Sequence, residues 1–117
     1  MVVEDDESTR IALTKILQMD GYHVDSFSNG YEAMSFLRLH EVDLVMSDIN
    51  MPEMNGVLFL KALQAGFPNI HVIMITAYGR LETYIESINH GAVEYLNKPI
   101  DYKQLKAIIN KVFQEST

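Results

Sequence analysis

Apolar and polar positions follow two periods in turn along this chain. Short runs of apolar, largely β-branched residues give way to segments in which apolar residues return every three to four positions, and the exchange repeats from end to end. Met1 to Val3 is a short apolar start. Ser8 to Met19 has the helical period, with Ile11, Ala12, Ile16 and Met19 on one face and Gly21 as a stop. Tyr22 to Phe27 alternates as a strand does. Asn29 is placed to cap a helix that runs through Leu39 and buries Ala33, Phe36 and Leu37. Val42 to Met46 is a buried-strand run that ends in polar Ser47 and Asp48, and a loop from Ile49 to Gly56 follows. Val57 to Ala65 is helical until Gly66 and Pro68 end it. His71 to Ile75 leads as a strand into Thr76, Arg80 to His90 is helical and stops at Gly91, and Ala92 to Leu96 is a short strand. Asp101 caps a last helix in which Leu105, Ile108, Ile109 and Val112 recur at i, i+3, i+4 and i+7.

Strands and helices that alternate in this way predict one α/β domain over residues 1–117. The expected architecture is a (βα)5, doubly wound, five-stranded parallel sheet with right-handed crossovers and helices on both faces. In such sheets ligands bind beyond the C-terminal ends of the strands, where the strand order reverses. The polar residues at those ends are selective: Glu4, Asp5, Asp6 and Glu7 after strand one, Asp48 after strand three, Thr76 after strand four, and Asn97, Lys98 and Pro99 after strand five.

Composition narrows the chemistry. With 48% hydrophobic residues in 117, the chain can build its own core. The absence of cysteine excludes disulfides and thiolate metal sites. A net charge of −7 argues against direct nucleic-acid binding and is compatible with a metal cation or a cationic partner. No apolar run reaches the roughly 18 residues that span a membrane. The acidic start does not read as a secretory leader, so a cytoplasmic location is expected.

Gathered carboxylates repel one another and call for a cation. A hard ion such as Mg²⁺ answers this through carboxylates, waters and phosphate oxygens. A carboxylate can also attack phosphorus to give an aspartyl phosphate, and such transfer depends on neutralising the equatorial oxygens. Lys98 can add positive charge and Thr76 a hydrogen bond. Each residue has a plainer reading: Asp5 or Asp6 favouring a helix N-terminus, Asp48 in a turn, Thr76 at a strand end, Lys98 in solvent. Their coincidence on one edge makes the pattern specific. His23, His40, His71 and His90 are scattered and suggest no histidine metal site, and the seven methionines read as core filler.

The segments Val2-Val3-Glu4-Asp5-Asp6-Glu7, Asp48-Ile49-Asn50-Met51-Pro52-Glu53-Met54-Asn55-Gly56, Ile75-Thr76-Ala77 and Tyr95-Leu96-Asn97-Lys98-Pro99 carry a resemblance over essentially the whole chain. In this order and spacing they resemble the receiver domain of two-component response regulators, of the chemotaxis-regulator type. The resemblance implies a flavodoxin-like sheet of order 2-1-3-4-5 and a phosphorelay function. It implies that Asp48 is the phosphoacceptor and that Asp5 and Asp6 hold Mg²⁺ with Asp48 and the Asn50 backbone carbonyl. Thr76 and Lys98 match the groups that meet the phosphoryl oxygens, and Ala77 matches the small residue that leaves the site open. Tyr95 matches the switch aromatic that moves inward when Thr76 moves. The Lys98–Pro99 bond is commonly cis in such domains. Asn50 and Tyr78 match positions that tune dephosphorylation.

The implied donor is a phosphohistidine on a sensor histidine kinase or a histidine phosphotransfer protein. Self-catalysed transfer and dephosphorylation are the only activities implied. A homodimer through the last helix and its neighbours is a further expectation, with Lys103, Lys106 and Lys111 facing Glu82 and Glu86 across a two-fold axis. Strand one is short for the family. No output segment follows the last helix, which leaves a stand-alone receiver and one domain of a longer protein both open. The competing readings are a phosphohydrolase with an aspartyl-phosphate intermediate and a degenerate, unphosphorylated interaction module. Asn50, where such hydrolases carry a second aspartate, disfavours the first. The intact set Asp5, Asp6, Asp48, Thr76 and Lys98 disfavours the second. No glycine-rich loop follows strand one to suggest a nucleotide-binding domain.

Overall fold

A computed structural model of the chain describes residues 1–49, 51, 54–76, 86, 88 and 94–115. Five strands form one sheet: β1 (Val2–Val3), β2 (Ser26–Phe27), β3 (Leu44–Asp48), β4 (His71–Thr76) and β5 (Glu94–Asn97). Their order is β2-β1-β3-β4-β5 and every pairing is parallel. The described helices are α1 (Glu7–Met19), α2 (Gly30–Leu37), α3 (Gly56–Gly66) and α4 (Tyr102–Glu115). The predicted helix from Arg80 to His90 lies outside the described residues apart from Glu86 and Ile88, as do Ala92 and Val93 of the predicted last strand.

The period of two along each strand divides the core into two layers. Val3, Val45, Val72 and Met74 face one side and pack with Ala33 and Leu37 of α2 and Phe59, Leu60 and Leu63 of α3. Val2, Met46, Ile73 and Ile75 face the other and pack with Leu13 and Leu17 of α1 and Leu105 and Ile109 of α4. Both faces of β3 and β4 are therefore covered, which is why these strands read as continuous apolar runs.

Helix starts are set by side-chain caps. Asp6, Asn29 and Asn55 accept from the backbone N–H of Thr9, Glu32 and Leu58 at 2.9, 2.9 and 3.0 Å. Asp101 does the same for Lys103 at 2.9 Å. The expected caps at Asn29 and Asp101 are thus in place.

The structure corrects two details. The stripe of α1 that meets the sheet is Leu13 and Leu17, not Ile11, Ala12, Ile16 and Met19: Ile11 is 45% and Met19 84% exposed. Residues two apart lie about 200° apart around a helix, so burying Leu13 and Leu17 turns Ile11 and Met19 outward. The second strand is Ser26–Phe27 rather than Tyr22 to Phe27. Tyr22 leaves the ladder and stacks on Phe113 of α4, ring centroids 5.8 Å apart.

Candidate functional site

Parallel register brings the strand ends level. Val3 pairs with Ser47, Asp48 with Ile75, and Thr76 with Asn97, so the residues that follow or end β1, β3, β4 and β5 share one edge. Glu4, immediately after β1, is 2% exposed; its N–H donates to the Phe27 carbonyl at 3.0 Å. Asp48 and Thr76 close their strands as buried polar residues. The Lys98 N–H donates to the Thr76 carbonyl at 2.7 Å, which ties the end of β5 to the end of β4. The Lys98–Pro99 peptide is cis.

The Lys98 ammonium joins two carboxylates. It donates to Asp48 Oδ2 at 3.1 Å and to Glu4 Oε1 in a closer contact. Carboxylate oxygens of Glu4, Asp5 and Asp48 all lie within 4.8 Å of one another. Burial and the adjacent Asp48 push the Glu4 carboxyl up to about 7, against the pull of Lys98. Burial disfavours the Lys98 charge, but its hydrogen bonds to Glu4 and Asp48 outweigh this and hold its pKa above the ordinary lysine value. The buried edge is thus crowded with negative charge that one lysine partly balances. Three carboxylates with oxygen-only donors suit a hard divalent ion such as Mg²⁺.

The residues singled out in the sequence divide accordingly. Asp5, Asp48, Thr76 and Lys98 are brought to this edge. Asp6 is directed to α1, where its carboxylate accepts from the Thr9 N–H at 2.9 Å and the Thr9 hydroxyl at 2.6 Å. Those bonds hold its pKa below the ordinary aspartate value. Glu4, which the sequence reading gave no role, takes the buried position beside Asp5. No spacing in the sequence singled out Asp6, because Asp5 and Asp6 are equally good N-cap residue types. The backbone carbonyl of Asn50, Ala77 and Tyr78 lie outside the described residues.

Tyr95 packs its half-buried ring against the α2–α3 layer of the core. Burial raises the pKa of its hydroxyl, with the neighbouring Thr76 side chain acting in the opposite direction. Tyr95 pairs with Met74 in the ladder, two residues before Thr76, so the two residues lie on neighbouring strands.

The loop after Asp48 is held on both sides. The Ile49 N–H donates to the Ile75 carbonyl at 2.8 Å, and the Gly56 N–H donates to the Ile49 carbonyl at 2.7 Å. Gly56 lies so close that a Cβ there would stand 2.5 Å from the Asp48 carbonyl oxygen. Farther away, Lys106 pairs with Asp20 at 3.1 Å and Lys111 with Glu94 at 3.2 Å, so two lysines expected at a dimer interface have partners within the chain. Glu82 lies outside the described residues. Among the described residues no helix is long and apolar enough to cross a membrane.

Comparison with known proteins agrees with this geometry. The family model described as response regulator receiver domain matches residues 1–110. The chain is 39% identical over 111 residues to the transcriptional regulatory protein ZraR of Escherichia coli K12, covering 95% of the chain and 25% of that protein. It therefore spans about a quarter of the length of this relative. It is 32% identical over 111 residues to sporulation initiation phosphotransferase F of Bacillus subtilis, covering 95% of the chain and 90% of that protein. A receiver domain protein (CheY-like) from Methanospirillum hungatei superposes with a TM-score of 0.94 at 29% identity, covering 98% of this chain and 92% of that one. The beryllofluoride-activated NtrC4 receiver domain dimer superposes with a TM-score of 0.93 at 32% identity, covering 99% and 96%. Fold, strand-end chemistry and sequence kinship converge: the chain belongs to the response regulator receiver family and is a signalling receiver domain of two-component systems.

Proposed function

We propose that Asp48 accepts a phosphoryl group from a phosphohistidine on a sensor histidine kinase or histidine phosphotransfer protein. The observation that carries this reading is the Lys98 ammonium between Asp48 and Glu4, at an edge where Asp5 completes a three-carboxylate cluster. Glu4, Asp5 and Asp48 would hold Mg²⁺, with the Asn50 carbonyl as a further oxygen donor. The pair that flanks Asp48 is then Glu4 and Asp5, while Asp6 starts α1. When bound, Mg²⁺ supplies positive charge that offsets the carboxylates and the phosphoryl oxygens.

The chain's own residues do the rest. An Asp48 carboxylate oxygen attacks phosphorus, the P–N bond to the donor imidazole breaks, and the electron pair returns to that nitrogen, which takes a proton from solvent. Lys98 balances charge on the phosphoryl oxygens, and Thr76 turns its hydroxyl to them. Tyr95, on the strand next to Thr76, follows it, and the surface around β5 and α4 changes with it. This is a shift between two packings of one fold. The domain works in the cytoplasm, as a switch whose chemistry is confined to its own phosphorylation and dephosphorylation.

The test is incubation with a small phosphodonor such as phosphoramidate, with Mg²⁺ or with a chelator. The expected result is an acid-stable, base-labile phosphate that forms only with the metal and is absent in Asp48→Asn. Full labelling of Asp48→Asn would overturn the assignment.

A further inference from the structure

Two of the three clustered carboxylates, Glu4 and Asp5, sit on the tight connection from β1 to α1. The Glu4 N–H is fixed by the Phe27 carbonyl at 3.0 Å, the last bond from this segment to β2. The Glu4 carbonyl is fixed by a side chain: Arg10 Nη1 donates to it at 2.9 Å in a part-buried contact across six residues. Arg10 is itself well anchored, since its N–H donates to the Asp6 carbonyl at 2.9 Å in the first turn of α1. The Asp6 cap, the helical turn and the guanidinium therefore close a loop that contains Glu4 and Asp5.

We propose that Arg10 is a positioning residue for the metal-binding carboxylates, holding the Glu4 carbonyl so that the Glu4 and Asp5 side chains converge on Asp48. This rests on the reading of Glu4, Asp5 and Asp48 as the Mg²⁺ site. A planar, pre-organised guanidinium suits the task because it loses little freedom per hydrogen bond made. Groups that orient metal ligands without touching the metal typically contribute 10- to 100-fold to affinity. Position and charge make opposite demands at Arg10. As a charge near a cation site it disfavours Mg²⁺, so removing the charge alone would tighten binding. As a brace it favours Mg²⁺, so removing the brace weakens binding.

The experiment is calorimetric titration of Mg²⁺ into the wild type, Arg10→Met and Arg10→Lys, with a thermal melt of each. Arg10→Met is expected to raise the Mg²⁺ Kd by about tenfold. Arg10→Lys, which keeps the charge and a donor but not the fork, falls between that variant and the wild type. An unchanged or lowered Kd in Arg10→Met overturns the proposal, whatever happens to its melting temperature. Should Arg10→Met fail to fold, a Kd for Arg10→Lys equal to or below the wild-type value overturns it instead. Absence of Mg²⁺ binding by the wild type would refute the site itself, a result distinct from equal binding by wild type and variants.

Discussion

Gly56→Ala tests whether the approach of α3 to the end of β3 at Asp48 is as close as the backbone indicates. A Cβ at this position would lie 2.5 Å from the Asp48 carbonyl oxygen, 2.6 Å from Ile49 Cα and 2.8 Å from Met74 Cε. The methionine end can swing away, but two of these three atoms are backbone, at the last residue of β3 and at Ile49, which is itself hydrogen-bonded to Ile75 and Gly56. Relief therefore requires α3 and the end of β3 to separate. Overpacking of this kind costs about 1–3 kcal/mol, and the backbone clash puts Gly56→Ala near the upper end. With an unfolding entropy of about 2.1 cal/mol/K per residue, a cost of about 3 kcal/mol lowers the Tm of a domain this size by roughly 12 °C. Gly66 is the control: it ends α3, and nothing lies within 4 Å of a Cβ there. Gly66→Ala should be neutral or raise stability by up to about 1 kcal/mol. Melts followed by circular dichroism, without metal, decide the matter. A Tm for Gly56→Ala within about 2 °C of the wild type would refute the reasoning.

Three further outcomes follow from the site. Glu4→Gln should weaken Mg²⁺ binding strongly in a calorimetric titration, whereas Asp6→Ala should leave it near the wild-type value and lower the Tm through loss of the Thr9 bonds; the reverse ranking would return the metal pair to Asp5 and Asp6. In chelator, the folded-state pKa of Glu4 near 7 lies above its ordinary 4.5, so its contribution to stability is fully present below about 4.5 and is lost as pH rises through about 7. Denaturant melts across that window should show the decline in the wild type and a flatter profile in Glu4→Gln; equal slopes would contradict the assignment. Tyr95→Ala should leave phosphate incorporation at Asp48 intact but remove the phosphorylation-dependent change in amide chemical shifts of β5 and α4, and persistence of that change would remove Tyr95 from the switch.

The strand-end logic was legible in the sequence because the parallel sheet leaves few alternatives. Buried runs such as Val72 to Ile75 cannot be solvated strands, and the residues that end them must meet at one edge. The run Glu4-Asp5-Asp6-Glu7 was harder, since four consecutive acids carry no phase of their own. Which two point into the site depends on where β1 stops and α1 starts, and β1 is held by parallel pairing to distant Ser26 and Met46. The inward face of α1 was missed for a related reason. Ile11, Ile16 and Met19 are as apolar as Leu13 and Leu17, so composition cannot choose between the two stripes. The docking of α1 on Met46 and Ile73 makes that choice. Arg10 was invisible as a brace, because a guanidinium on a carbonyl six residues back leaves no periodic mark.

The central claim is that Asp48 carries the phosphoryl group. After labelling with phosphoramidate and Mg²⁺, borohydride reduction converts an aspartyl phosphate to homoserine, and peptide mass mapping locates the modified residue. The account predicts homoserine at position 48 alone, dependent on Mg²⁺. Homoserine at Asp5 or Asp6, or a base-stable phosphate on a hydroxyl residue such as Thr76, would contradict it.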